Sequence, residues 1–428
     1  MKKHFLNFFK YILLTIFLPF IMGNVLFVPQ SYEKDSSVVI INKRTQIKSA
    51  PSKKSKLRGI AVKGSRLPIL ETSEGDGCNG YQWYKVYEDS WICGRNVELS
   101  DLMPQGDQFP VVEGDNVSPW PYAFVKEQAI EYKWAKEGWL EEIREIFTGF
   151  GFAVQKIISI DGQKYYKTPE DKIIPTYAAR YTTRISKFAG IELENGKPFP
   201  VGWIISNTAW AYNKPVNDNK SRIRQFVRFD SFTVEDTVKT GKQTFYKTAK
   251  GEWLSKNDVR VSSIIKRPET ILPNQKWIDV DTNNQIATAY IGDKPVYSTL
   301  VSTGRKGPSH TKTGLFNIWV KVAAIAMDNT DEQEDIDTDL GLDTDSQTKE
   351  KKLYSLQDVP WSQFFNENYA IHAVYWHNGF GNRKSHGCIN MSPLDARWFY
   401  NWTEPHLPDG WWSIYTMENE KGTAVLVR

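Results

Sequence analysis

The chain has 428 residues, 40% hydrophobic and 24% charged, and its 16 Trp are unusually many. That composition excludes a disordered chain and leaves room for two or three domains, most readily β-rich ones. The formal charge is +4, but Lys2, Lys3 and Lys10 supply three of those charges; the rest is nearly neutral, with no global field aimed at nucleic acid, which is not an expected partner.

Those lysines open an export signal. The apolar run Tyr11 to Met22 follows, shorter than the roughly 20 residues that cross a bilayer comfortably. Residues 1–23 read as a signal peptide, or as an uncleaved membrane anchor, because no Ala-x-Ala site appears. The expected location is the periplasm or cell envelope. In such an oxidising compartment Cys78 and Cys93 can pair within one small domain, the alternative being two buried free thiols. Cys388 is then left over, and a leftover thiol in an exported protein invites a reactive role.

Residues 38–103 read as short strands: Ser37 to Ile41, Leu67 to Leu70, Trp83 to Tyr87 and Ser90 to Cys93, separated by Gly, Asp and Ser turns. The order "APSKKSKLRGIAVKGSRLPIL", then "QWYKVYEDSWIC", resembles a bacterial SH3-like domain, which implies a small β-barrel. Trp83 and Trp91 are either core aromatics or a wall-binding face. Residues 104–270 read as a mostly β spacer without assignable chemistry. Glu137 to Phe147 has helical spacing, with Leu140, Ile143, Ile146 and Phe147 on one side. "GQKYYKT" at 162–168 and "GKQTFYKT" at 241–248 suggest degenerate repeats.

From Trp277 the pattern sharpens. Trp277 to Val280, Gln285 to Ile291 and Val296 to Ser302 alternate with turns and predict an antiparallel meander, continued by Leu315 to Val322. The acidic stretch 328–350 predicts a mobile surface insertion. Asp335, Asp337 and Asp339 alternate as in a calcium loop, but the EF-hand glycine and glutamate are missing.

Chemistry concentrates between Ala370 and Phe399, "AIHAVYWHNGFGNRKSHGCINMSPLDARWF". A thiol that attacks an amide needs a neighbouring imidazole or positive dipole to make it thiolate, and amide donors for the developing oxyanion. Ser385-His386-Gly387-Cys388 can supply these, Gly387 permitting a sharp turn. Ser392-Pro393-Leu394-Asp395 is a helix start, with Ser392 as cap, Asp395 able to complete a capping box, and Leu394, Trp398 and Trp402 on one face. His377 and His406 read as structural or surface residues. A zinc site of His372, His386 and Cys388 is the metal alternative.

This text resembles the catalytic stretch of the L,D-transpeptidase family, in which a His precedes by sixteen residues the Cys of Ser-His-Gly-Cys, as His372 precedes Cys388. "VSTGRKGPSHTKTGLFNI", "DVPWSQFF" and "DARWFYNWTEPHLPDGW" are similar to other family segments, and the likeness covers about 276–428. Ala373, Lys312 and Arg383 depart from frequent family residues. The resemblance implies a mainly β protein whose catalytic β-sandwich carries a helix after the nucleophile. It implies that Cys388 attacks the bond before the terminal D-alanine of a peptidoglycan stem tetrapeptide, with His372 as base, oriented through the carbonyl of the next residue. His386 and Gly387 would help hold the oxyanion. Ser385, Asn390, Tyr375 and Trp376 are candidates for substrate contact, and Tyr354 for reaching the oxyanion from the lid side. An amine of a second stem would resolve the thioester, with no metal or other cofactor. Carbapenems would inhibit covalently. The competing readings are a wall-stem L,D-carboxypeptidase using water, and a catalytically dead wall-binding scaffold.

Overall fold

The structure, a computed structural model, describes residues 37–42, 44–182, 185–193, 199–328 and 355–428. The leader, the acidic insertion with its alternating aspartates, and Tyr354 lie outside the described residues. Among those described the chain is mainly β, as expected. The one α-helix among the described residues is α1 (Pro393–Trp402); no described helix is long and apolar enough to cross a membrane.

In the N-terminal region, strands Trp83–Tyr87 and Ser90–Cys93 form a hairpin, and a disulfide joins Cys78 to Cys93 with the Cα atoms 5.6 Å apart. Trp83 and Trp91 pack on that disulfide, so both are core aromatics rather than a binding face. The sheets here stay open instead of closing into the expected barrel. Strand Leu57–Val62 pairs on one side with Arg44–Lys48 and on the other with Trp411–Tyr415 near the C-terminus. Gly59 makes that junction possible: a Cβ there would lie 2.4 Å from the Ser413 carbonyl oxygen and 2.5 Å from the Trp411 ring. Arg58 ties the seam by donating to Glu420 at 2.6 Å and to the Tyr415 carbonyl.

The middle region is a structural duplication. In the first unit Tyr122–Val125 pairs with Gly151–Ala153 and Ala179–Tyr181, and Ala129–Trp134 pairs with Leu140–Ile146 and Lys172–Pro175. In the second, Val201–Ile204 pairs with Ser231–Thr240 and Val259–Val261, and Thr208–Tyr212 with Arg222–Val227 and Trp253–Ser255. The two look-alike sequences lie on equivalent strands, Gln163–Lys167 and Gln243–Thr248. Their closing threonines do the same work. Thr168 Oγ1 accepts from the Lys172 amide at 3.1 Å, and Thr248 Oγ1 from the Glu252 amide at 3.3 Å, each pinning the next hairpin. The expected helix near 137–147 is instead strand Leu140–Ile146. A bulge at Glu131/Tyr132 shifts its register, so the apolar positions lose the simple alternation that marks a strand.

The last third builds two packed sheets. Strands β1 (Lys276–Asp281), β2 (Ile286–Ile291) and β3 (Lys294–Leu300) form the predicted meander. Strand β4 (Gly314–Asn317) lies antiparallel to β10 (Ala424–Val427), which runs parallel to β1. In the other sheet β5 (Val320–Asp328) pairs with β6 (Ser355–Asn366) and β9 (Trp411–Tyr415). Strand β6 leads to β7 (Tyr369–Ala373), beside which β8 (Ile389–Met391) runs parallel. Apolar residues of both sheets and α1 share one core, including Val280, Ala289, Val322, Ile371, Met391 and Phe399.

Ser392 caps α1 as predicted, its hydroxyl accepting from the Asp395 amide at 3.1 Å, with Pro393 in the first turn. Trp398 and Trp402 stack on one face of the helix, as their spacing predicts. Ala396, Phe399 and Tyr400 go inward, whereas Leu394, Trp398 and Trp402 are half-buried. Trp398 also stacks on Tyr297 of β3, centroids 4.1 Å apart.

Candidate active site

The parallel pairing of β7 and β8 assembles the site. Ile371 faces Ile389 and His372 faces Asn390, so the last two point to one face of the sheet. Cys388 precedes β8 by one residue, and two-residue periodicity returns its side chain to the face of Asn390. That register sets Cys388 beside Ala370, two residues before His372 on the neighbouring strand.

His372 is 2% exposed. Its Nδ1 lies 2.8 Å from the Ala373 carbonyl oxygen. A carbonyl only accepts, so Nδ1 carries the proton and Nε2 presents a lone pair. Ala373 thus supplies the orienting carbonyl expected of it. Trp376 lies roughly parallel to the His372 ring, centroids 5.9 Å apart, and shields it.

The turn before the thiol is locked from several sides. Gly387 has φ 142°, and a Cβ there would sit 2.0 Å from the Tyr369 ring. Its carbonyl accepts from Thr311 Oγ1 at 2.7 Å, and its amide donates to Ser385 Oγ at 3.1 Å. The Ser385 hydroxyl in turn donates to the Cys388 carbonyl at 2.5 Å. Ser385 is thus a turn-holding residue rather than a free substrate contact, and the Gly387 amide is engaged within the turn. Cys388 is half-buried, and its S–H points to the Asn368 carbonyl oxygen 3.8 Å away.

Burial decides the resting protonation. It pushes the His372 pKa down to about 4 and the Cys388 thiol up to about 11. The exposure that Cys388 keeps tempers the second shift without changing its sign. The resting pair is therefore neutral thiol and neutral imidazole. The preformed thiolate anticipated from sequence is disfavoured, so any attack by this thiol would require its proton to be transferred. Acylation needs an uncharged His372, so its kcat/KM is expected to hold level from neutral pH down to near pH 4 and to fall below it. Single-turnover acylation against pH measures this; an acid limb at pH 6 to 7 contradicts it.

Other candidates are placed as follows. His386 is exposed, and burial followed by the charge of Arg305 lowers its pKa. Asn390 is 3% exposed and its amide meets His377 Nε2 at 3.0 Å. Tyr375 is not in the groove. It is 1% exposed, stacks on Tyr122 of the first repeat with centroids 3.7 Å apart, and donates to the Gln357 carbonyl at 2.9 Å. Two residues beyond the end of β7, its backbone no longer follows the strand's alternation. His406 is exposed and pairs with Glu404 at 3.0 Å. No cluster of metal-binding side chains occurs among the described residues.

The repeats brace the loop that joins His372 to Cys388. Arg228 of the second repeat donates to the carbonyls of Phe380 at 2.8 Å and of Ile205. Gly381, at φ 86°, leaves room for Ile205, which a Cβ would meet at 2.4 Å. Ser186, between the repeats, donates to Asn378 Oδ1 at 2.8 Å. Sequence reasoning passed over Thr311, Tyr369, Arg228 and Ser186. Only Thr311 left a local trace, inside the family-like strand-turn text.

Residues 275–427 match the model of the YkuD family, the L,D-transpeptidase catalytic domain. L,D-transpeptidase 2 of Mycobacterium tuberculosis is 27% identical over 124 residues, which make up 28% of this chain. The match spans 27% of that relative's length. Among solved structures, a faropenem-derived adduct of L,D-transpeptidase 3 from Mycobacterium tuberculosis is 17% identical, with 41% of this chain and 72% of that one covered and a TM-score of 0.26. The catalytic domain of the E. faecium L,D-transpeptidase, solved by NMR, is 22% identical, with 36% and 98% covered and a TM-score of 0.25.

Proposed function

We propose that this chain, whose residues 275–427 carry an L,D-transpeptidase catalytic domain, cross-links peptidoglycan in the cell envelope through a thioester on Cys388. The observation that carries the reading is the buried His372, its Nδ1 committed to the Ala373 carbonyl, on a strand paired in parallel with the strand that begins one residue after Cys388. Nε2 takes the thiol proton as sulfur bonds to the carbonyl carbon ahead of the terminal D-alanine of a stem tetrapeptide. The C–N bond then breaks and the proton leaves with the D-alanine amine. A side-chain amine of a second stem attacks the thioester, forms the new amide and restores the thiol. Backbone amides around Gly387 and Cys388, helped by His386, stabilise the oxyanion once substrate reshapes the turn. Asn390 and Trp376 line the donor side.

In this proposal residues 1–23 export the chain or anchor it to the membrane, and residues 38–103 are a small β module joined edge to edge to the strand Trp411–Tyr415. The purified protein, incubated with disaccharide tetrapeptides, is expected to release D-alanine and form dimers. D-alanine without dimers would favour the carboxypeptidase, in which water is the acceptor. Incubation with a carbapenem is expected to add one adduct to the intact mass, and a protein that gains none and releases no D-alanine would be the inactive scaffold.

A further inference from the structure

Asn390 and His377 form a pair that the reaction as described leaves unexplained. His377 Nδ1 accepts from the Gly379 amide at 3.2 Å. That nitrogen therefore holds the lone pair, and the single proton of a neutral imidazole sits on Nε2. The ring is neutral near pH 7, because burial, reinforced by the charge of Lys384, pushes its pKa down to about 4. Nε2–H requires an acceptor, and its neighbour at 3.0 Å is the side-chain amide of Asn390. Placed with its nitrogen toward Nε2, the amide would set donor against donor. Turned by half a rotation it gives its oxygen to His377, and the hydrogen-bond pattern selects that orientation.

The other end of the Asn390 amide then becomes an NH2 donor. That end is buried, and placed as the oxygen it meets no donor. It belongs to a side chain on the same sheet face as His372. A buried donor left unpaired costs about 1–3 kcal/mol, a cost that disappears when an acceptor arrives. Resting on the transpeptidase reading, we propose that His377 is a positioning residue that holds Asn390 with its NH2 toward the donor peptide, where it receives a carbonyl or carboxylate oxygen of the substrate. The second repeat serves the same end, since Arg228 and Ile205 fix the loop on which His377 rides.

The test uses the full-length protein and a disaccharide tetrapeptide, with His377→Leu and His377→Gln compared with wild type. His377→Leu is expected to lower kcat/KM for D-alanine release about 10- to 100-fold, mostly through KM, with the melting temperature unchanged. His377→Gln carries an N–H that can replace Nε2–H and is expected to recover most of the loss. A leucine variant as active as wild type, or a glutamine variant no better than leucine, overturns the inference while leaving the transpeptidase reading intact. A wild-type protein that releases no D-alanine removes that reading and this inference with it.

Discussion

Cys388→Ala is expected to lower D-alanine release by roughly 10³-fold or more and to eliminate the carbapenem adduct, with the circular dichroism spectrum unchanged. The chain has three cysteines, and the other two are joined to each other, so no second thiol can substitute. His372→Ala removes the proposed base and is expected to cost about 10²- to 10⁴-fold. The two variants should differ in alkali. With His372 gone the thiol must ionise unaided, and burial holds its pKa near 11, so adduct formation by His372→Ala should climb steeply as pH rises toward that value. Cys388→Ala should stay inert throughout. An adduct on Cys388→Ala, or a wild-type rate surviving in His372→Ala, would remove these residues from the chemistry.

Asp395→Ala is expected to destabilise the fold by roughly 3 to 5 kcal/mol, read as a lower urea midpoint. The Asp395 carboxylate is buried. It accepts from Tyr297 Oη, Thr299 Oγ1 and the Gly190 amide at 2.7 Å each, and from Ser392 Oγ at 2.8 Å. Burial pushes its pKa up against the pull of Thr299 and Tyr297, the next largest influences. Alanine would strand all four donors at once. Because the Gly190 contact ties the inter-repeat segment to α1, D-alanine release should also fall before the global transition, as the bracing of the 376–384 loop loosens. A midpoint within experimental error of wild type would show that these donors find other partners.

The elements of the candidate site were legible because their signals are local. The sixteen-residue interval from His372 to Cys388, the Gly387 turn and the Ser392 cap each lie within one stretch of text. What remained hidden depends on distant partners. Leu140, Ile143 and Ile146 suit a helical period, and only pairing with Ala129–Trp134 through a bulge makes them a strand. Tyr375 reads as a groove aromatic until Tyr122, far earlier in the chain, supplies its stacking partner. Asp395 shows its capping role in sequence, but not the hydroxyls of Tyr297 and Thr299 that make it a core acceptor. The repeats were glimpsed through the shared Tyr-Lys-Thr ending, because Thr168 and Thr248 do the same local work. The rest of each copy has drifted under different contacts.

The backbone ladder between Gly59–Ala61 and Trp411–Ile414 has a consequence for how the molecule comes apart. Beads on a string can melt one at a time, but strands zipped edge to edge share their amide protection. The disulfide-bearing head and the thiol-bearing tail are therefore bound into a single cooperative block. Loosening either end frays the other, and no excision that cuts through Leu57–Val62 leaves the sheet around Trp411 with a healed edge.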